Sequence, residues 1–146
     1  MRDFIQIQLE DIGDVSQIEC ATFSQVWSPS YFRAALAASN VLCVGSVEEG
    51  ELGAYALGFI DAQCFSLSSI AVAPRLWRRG HGEALLRYTL AQAVGRGCSS
   101  ARLEVRASNS PALSLYHKVG FTSCQRLVKY YDNPLEDGLK LVFDLG

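Results

Sequence analysis

Residues 68–86 read SSIAVAPRLWRRGHGEALL: an apolar strand end, an arginine-rich turn, and a helix opened by Gly80 and Gly82. The first turn of a helix leaves backbone N–H groups without intrahelical partners and carries a partial positive charge. Glycine removes the side chain there, so a bulky diphosphate can rest directly on those groups. Arg78 and Arg79 add full charges beside them. The pattern is not a dinucleotide fingerprint, since GHGEAL lacks the third glycine, and not a Walker loop, since no G-K-[ST] follows. On these residues alone, a turn that uses glycine for steric reasons is an equal reading. His81, between the two glycines, is expected on the surface of the helix start rather than in catalysis.

Further on, residues 103–121 read LEVRASNSPALSLYHKVGF. Leu103 and Val105 alternate with Arg102, Glu104 and Arg106, which projects Glu104 from the polar side of a strand expected to be central. A carboxylate on an interior strand is costly unless it is paired or functional. The pairing alternative is an ion pair with Arg102 or Arg106. In the next helix Ala112, Leu115, Tyr116 and Val119 recur at i, i+3, i+4 and i+7, so Tyr116 lies on the core-facing stripe. Spacing makes it a packing tyrosine, whose hydroxyl needs a partner if buried. Asn109 or Ser110 caps this helix and Gly120 closes it. His117 is expected to face solvent near the helix end. Two histidines far apart support neither a zinc site nor a Ser-His-acid triad.

Outward from these segments the period of the apolar residues sets the remaining elements. Ile5, Ile7 and Leu9 alternate with Gln6 and Gln8, predicting a half-buried first strand. Asp11 can cap a helix carrying Ile12, Val15 and Ile18, and Ser28 with Pro29 can open a second, with Tyr31, Phe32, Ala35 and Leu36 on its apolar side. Residues 41–47 and 52–61 read as strands around an acidic tip, and 65–72 as a third. The helix from Gly80 to about Arg96 carries Leu85, Leu86, Thr89, Leu90 and Ala93 on one side. Residues 122–130 and 138–143 read as a closing pair of strands. The order is strand, two helices, three strands, helix, strand, helix, two strands: a mixed α/β (α+β) sheet in one domain spanning 1–146, with no linker or repeat.

A chain of 146 residues is long enough to bury a sizeable core, and 49% hydrophobic with 19% charged residues is ordinary globular composition. The net charge of −2 argues against a general binder of nucleic acid or membrane surface, although Arg75, Arg78 and Arg79 cluster locally. The start, MRDFIQIQLED, has no signal-peptide pattern, and no apolar run reaches the roughly 18 residues of a membrane span. Five widely spaced cysteines, without a C-x-x-C pair, read as small packing residues in a reducing compartment, so the cytoplasm is the expected location.

Taken together, the R-R-G-x-G-x-A-L-L helix start followed by N-x-x-A-x-x-L-Y-x-x-x-G-F resembles the acetyl-CoA site of the GCN5-related N-acetyltransferase (GNAT) superfamily. More narrowly, LEVRASN, ALSLYHKVGF and KYYDNPLEDGLKL resemble RimI-type enzymes, bacterial transferases that acetylate the terminal alanine of a small-subunit ribosomal protein. FSQVWSPSYF (23–32) is similar to that family's loop between the first two helices. The resemblance implies the GNAT acyl-CoA N-acyltransferase fold, acetyl-CoA as co-substrate and no metal. It implies that Ile70, Ala71 and Val72 pair their strand edge with the pantetheine arm, and that Arg78, Arg79, Gly80, His81, Gly82 and Glu83 wrap the pyrophosphate. Asn109 would hydrogen-bond the cofactor near the reaction centre, Glu104 would accept the proton of the amine, and Tyr116 would donate one to the leaving thiolate. The implied partner is a protein N-terminus, that of a basic ribosomal protein, with no direct contact to nucleic acid or membrane. Another N-terminus, a lysine or a small-molecule amine are the alternative acceptors, and a non-catalytic acyl-CoA-binding module is the alternative to an enzyme. Residues 26–30 and 130–137 would flank the entry, with Glu136, Asp137, Tyr130 and Tyr131 placed to receive a basic segment, though a solvated turn explains the same acids. One position departs from the pattern: Trp77 stands where the superfamily has Gln or Arg, which predicts weaker cofactor affinity at most.

Overall fold

A computed structural model describes residues 2–23 and 28–146. Seven strands form one sheet: β1 (Arg2–Gln6), β2 (Val41–Glu48), β3 (Glu51–Asp61), β4 (Cys64–Val72), β5 (Ser100–Arg106), β6 (Thr122–Tyr131) and β7 (Glu136–Asp144), in the spatial order β1-β2-β3-β4-β5-β7-β6. All neighbours are antiparallel except β4 and β5, which run parallel. Four helices cover the two faces: α1 (Ile12–Thr22) and α2 (Pro29–Ala37) on one, α3 (His81–Gly95) and α4 (Ser110–Val119) on the other.

The helices form where their apolar stripes and caps agree. Leu85, Leu86, Thr89, Leu90 and Ala93 of α3 are buried against Leu42, Val44, Ala54 and Ala56 of the sheet. Ile12, Val15 and Ile18 of α1 are buried on the opposite face with Tyr55 and Leu57. Ser28 Oγ accepts the Tyr31 N–H at 3.2 Å and Pro29 opens α2. Asn109, not Ser110, caps α4, its Oδ1 accepting the Ala112 N–H at 3.3 Å. Gly120 ends that helix at φ 135, where a Cβ would also meet the Phe143 ring at 2.6 Å. A side chain there would be both strained and crowded.

Two expectations at the N-terminus are corrected. β1 stops at Gln6, and Leu9 is 63% exposed in a short 3-10 turn over Leu9–Asp11. The apolar–polar alternation continues past the point where the backbone turns away from the sheet, so periodicity overran the strand. Asp11 does not cap α1 with its side chain; its Oδ2 instead accepts the Gln8 N–H at 2.7 Å.

The surface position expected for His81 is corrected as well. His81 is 5% exposed, and its Nδ1 is buried without a hydrogen-bond partner. It lies within the fields of Arg2, Glu48 and Arg79, so the first residue of α3 points toward the β1–β2 end of the sheet. Burial holds its pKa below the ordinary value, with the Arg2 charge acting in the same direction. The sign follows directly. Above the unfolded-state value near 6.5 the imidazole is neutral in both states. Below it the unfolded chain binds a proton that the fold resists, so this contribution is lost as pH falls toward the depressed folded value. Urea unfolding from about pH 7.5 down to about pH 5.5 should show the wild type losing stability more steeply than His81→Gln. Parallel slopes for the two proteins would remove His81 as the cause.

Candidate active site

β4 and β5 pair only over Cys64–Ser66 and Ser100–Arg102; beyond that the two strands continue to Val72 and Arg106 without registering against each other. A gap therefore opens in the middle of the sheet. The Ala73 N–H donates to Gly53 O at 2.7 Å, and Ala71 registers with Tyr55, so alternation along the strand turns Ile70 and Val72 the other way. Their N–H and C=O groups face the gap. Their side chains pack on the α3–α4 core, whereas the Ala71 side chain is buried on the α1–α2 side. The strand edge expected to be free is thus Ile70 and Val72, with Ala71 committed to β3.

At the upper end of β4 the chain passes through Ala73–Gly80 into α3. Arg78 and Gly80 adopt left-handed conformations at φ 63 and 76. No atom lies within 4 Å of where a Cβ on Gly80 would be, and a Cβ on Gly82 would sit 3.5 Å from Leu115 and 3.6 Å from Val72. The first intrahelical bond of α3 is Ala84 N–H to Gly80 O, so the N–H groups of His81, Gly82 and Glu83 are without helix partners. Arg78 and Arg79 are exposed and make no ion pair among the described residues. An open floor, three free donors and two cations fit a diphosphate. Arg75 is separate, paired with Glu51 at 3.4 Å. Two of the expected residues offer the site only their backbone N–H groups. His81 is turned inward, and the Glu83 carboxylate holds Lys118 at 3.0 Å and Arg87 at 3.1 Å, which keeps its pKa below the usual range. Trp77, half exposed, donates its indole N–H to Val72 O at 2.6 Å.

Leu103 and Val105 belong to the α3–α4 core, so Glu104 between them faces the opposite side of the sheet. It is half-buried, opposite Lys140 in the β5–β7 register, and no hydrogen bond or ion pair to it occurs among the described residues. Neither candidate arginine pairs with it: Arg102 Nε donates to Ser66 Oγ at 3.0 Å, and Arg106 is engaged elsewhere. Tyr116 comes from α4 on the other face, 8% exposed, with no hydrogen bond to its hydroxyl among the described residues. Burial pushes its pKa up to about 12, with a smaller contribution from Tyr131. Tyr131 is itself raised to about 12 by burial, then by Tyr130 and Glu104. Tyr131 therefore lies electrostatically between the acid and the tyrosine, a placement spacing did not reveal.

The β6–β7 turn is tied to this site by Arg106. Its guanidinium donates to Asp132 O at 2.8 Å, Pro134 O at 2.9 Å and Glu136 Oε1 at 3.3 Å, and lies 4.7 Å from the Tyr131 ring centroid. Glu136 also accepts the Ser108 N–H at 2.7 Å, and Asp137 holds Arg126 and the Lys129 N–H, each at 2.8 Å. Both acids are thus engaged in holding the turn itself. Tyr130 stays 53% exposed. Of the entry segment 26–30, residues 26 and 27 lie outside the described residues, and residues 28–30 are exposed. On the α1–α2 face, Glu19, 2% exposed, accepts the Tyr55 hydroxyl, which lies 2.9 Å from Ser69 Oγ beside the gap. Glu19 follows Ile18 on the apolar stripe of α1, a charge out of place that could have marked it. His117 is exposed, as expected. All five cysteines are free, but only Cys43 and Cys98 are buried; Cys20 and Cys124 are exposed rather than packed. Among the described residues no His, Cys, Asp and Glu group is placed to hold a metal ion, and no helix is long and apolar enough to cross a membrane.

The sequence and the fold are similar to those of known proteins. The family model described as acetyltransferase (GNAT) family matches residues 12–121. The chain is 30% identical over 138 residues to the ribosomal protein bS18-alanine N-acetyltransferase of Escherichia coli (strain K12), covering 94% of this chain and 91% of that protein. It is 36% identical over 109 residues to the N-alpha-acetyltransferase RimI of Mycobacterium tuberculosis, covering 72% and 67%. The crystal structure of the ribosomal-protein-S18-alanine N-acetyltransferase from Escherichia coli superposes with a TM-score of 0.93 at 27% identity, over 100% of this chain and 95% of that one. The chain belongs to the GNAT family of acetyltransferases.

Proposed function

We propose that this protein transfers the acetyl group of acetyl-CoA to the N-terminal α-amine of a protein, the terminal alanine of a small-subunit ribosomal protein being the substrate its named relatives favour. The observation that carries the reading is the β4–β5 gap. One wall is the gap-side edge of Ile70 and Val72, Glu104 stands unpaired among the described residues on one face, and Tyr116 is buried on the other.

Acetyl-CoA supplies an activated thioester, and only a neutral amine attacks one. An α-amine with a pKa near 8 is about one-tenth neutral at pH 7, whereas a lysine near 10.4 is neutral in fewer than about one molecule in 1,000. An N-terminal acceptor therefore asks little of its base. Glu104, with no cation holding its carboxylate among the described residues, takes the proton directly or through a water. The Val72 N–H, turned into the gap, donates to the carbonyl oxygen as it gains charge. Tyr116 donates its proton to the departing sulfur. Its raised pKa keeps it protonated at neutral pH, and the desolvation that raises it also raises the basicity of a thiolate in the same place. Asn109 keeps its amide N–H₂ available for the cofactor while its oxygen caps α4.

Incubation with acetyl-CoA and a short peptide beginning Ala-Arg-Tyr should add one acetyl group by intact mass, and none to the same peptide with a blocked N-terminus. Binding of acetyl-CoA with transfer to neither peptide would move the acceptor to another class of amine. For the chemistry, Glu104→Gln and Tyr116→Phe should each unfold at the wild-type urea midpoint while turnover, followed as CoA release, falls roughly 10²–10⁴-fold. Wild-type turnover in either purified variant would exclude that residue from proton transfer.

A further inference from the structure

Trp77 is half exposed, yet its indole N–H lies 2.6 Å from Val72 O. That oxygen is not an idle group. The Ala73 N–H bonds Gly53 O, so alternation places the Val72 N–H and C=O on the gap side of β4, away from β3. A carbonyl oxygen can accept two bonds, but a donor this close brings a whole bicyclic ring against the same side of the acceptor. The backbone around the indole is braced: the Trp77 N–H donates to Pro74 O at 3.2 Å, and Arg78 follows in a left-handed turn. Displacement of the ring therefore requires rotation of the side chain, not movement of the loop. At a half-exposed position water replaces the lost partner at little cost.

We propose that Trp77 is an internal competitor for the strand edge: its indole N–H occupies Val72 O in the free protein and is displaced when the pantetheine arm of acyl-CoA enters the gap. The inference rests on the reading of the gap as the acyl-CoA site and adds a gate to it. Trp77 is thereby a positioning residue that lowers cofactor affinity rather than one that contacts phosphate, and its N–H acts as a stand-in for an amide N–H of the arm.

Two measurements test this with CoA itself, which binds without reacting. Calorimetry on Trp77→Phe, which keeps an aromatic ring and removes the donor, should give a Kd about three- to tenfold lower than the wild type. Adenosine 3′-phosphate 5′-diphosphate, which lacks the arm, should bind both proteins equally. In a Trp27→Phe background, where Trp77 is the sole tryptophan, CoA should shift the indole emission to longer wavelength as the N–H passes from Val72 O to water. Equal or weaker CoA binding by Trp77→Phe, an equal gain for the armless nucleotide, or unchanged emission at saturating CoA would each overturn the gate. A wild type that binds no CoA would overturn the site reading itself, and the gate with it.

Discussion

β4 and β5 are hydrogen-bonded over three residue pairs and then part, leaving two strand edges unpaired with each other in the middle of a seven-stranded sheet. Backbone N–H and C=O groups at such a place must find partners, and a fold that leaves them open leaves them open to a ligand. The surrounding structure is arranged to hold the gap rather than close it. β3 anchors β4 on its other side up to Val72, β7 anchors β5 up to Arg106, and α3 and α4 pack beneath both. A main-chain edge recognises an amide-bearing arm through alternate N–H and C=O groups, without any side chain of its own.

The same parting allows a division of labour across the sheet. Strand alternation commits Leu103 and Val105 to the α3–α4 core and forces Glu104 to the opposite face, while Tyr116 is delivered by the helical stripe of α4. Glu104 and Tyr116 thus lie on opposite faces of the sheet, which suits the proposed reaction, in which one proton leaves the nucleophile and another is given to the leaving group. Arg106, two residues beyond Glu104, fastens the β6–β7 turn to β5. Tyr131 is held with it, its ring beneath the Arg106 guanidinium.

What was legible in the sequence was local. The stripes Ile12–Val15–Ile18 and Leu85–Leu86–Leu90, the caps at Ser28 and Asn109, and the stop at Gly120 follow from spacing, and the order of elements follows from them. Glu104 and Tyr116 stood out once two motifs were taken together. Leu9 and His81 were misplaced because period and composition do not say where the backbone turns or which way a helix end faces. Contacts between residues distant in sequence were out of reach: Tyr55 meets Glu19 across 36 positions, and Arg106 meets Asp132 across 26. The two readings open for Glu136 and Asp137 could not be separated for that reason, since a charged pair on a turn looks alike whether it is free or already hydrogen-bonded.

The carboxylates themselves show why Glu104 is singular. Glu19 is the most buried and has the Tyr55 hydroxyl; Glu83 holds two cations; Glu136 has Arg106 and the Ser108 N–H; Asp137 has Arg126 and the Lys129 N–H. Each of these is satisfied as a carboxylate withdrawn from water must be. Glu104, half-buried on a central strand, has no such partner among the described residues, although Arg102 and Arg106 flank it in sequence and Lys140 registers opposite. Both arginines are drawn off, one to Ser66 and one to the β6–β7 turn. Had either paired with Glu104, the carboxylate would be stabilised in its charged form and weakened as a base. Diverting the nearby arginines leaves a half-buried carboxylate on a central strand with no cation holding it among the described residues, an arrangement expected where the proposed catalytic role, rather than folding, sets the residue.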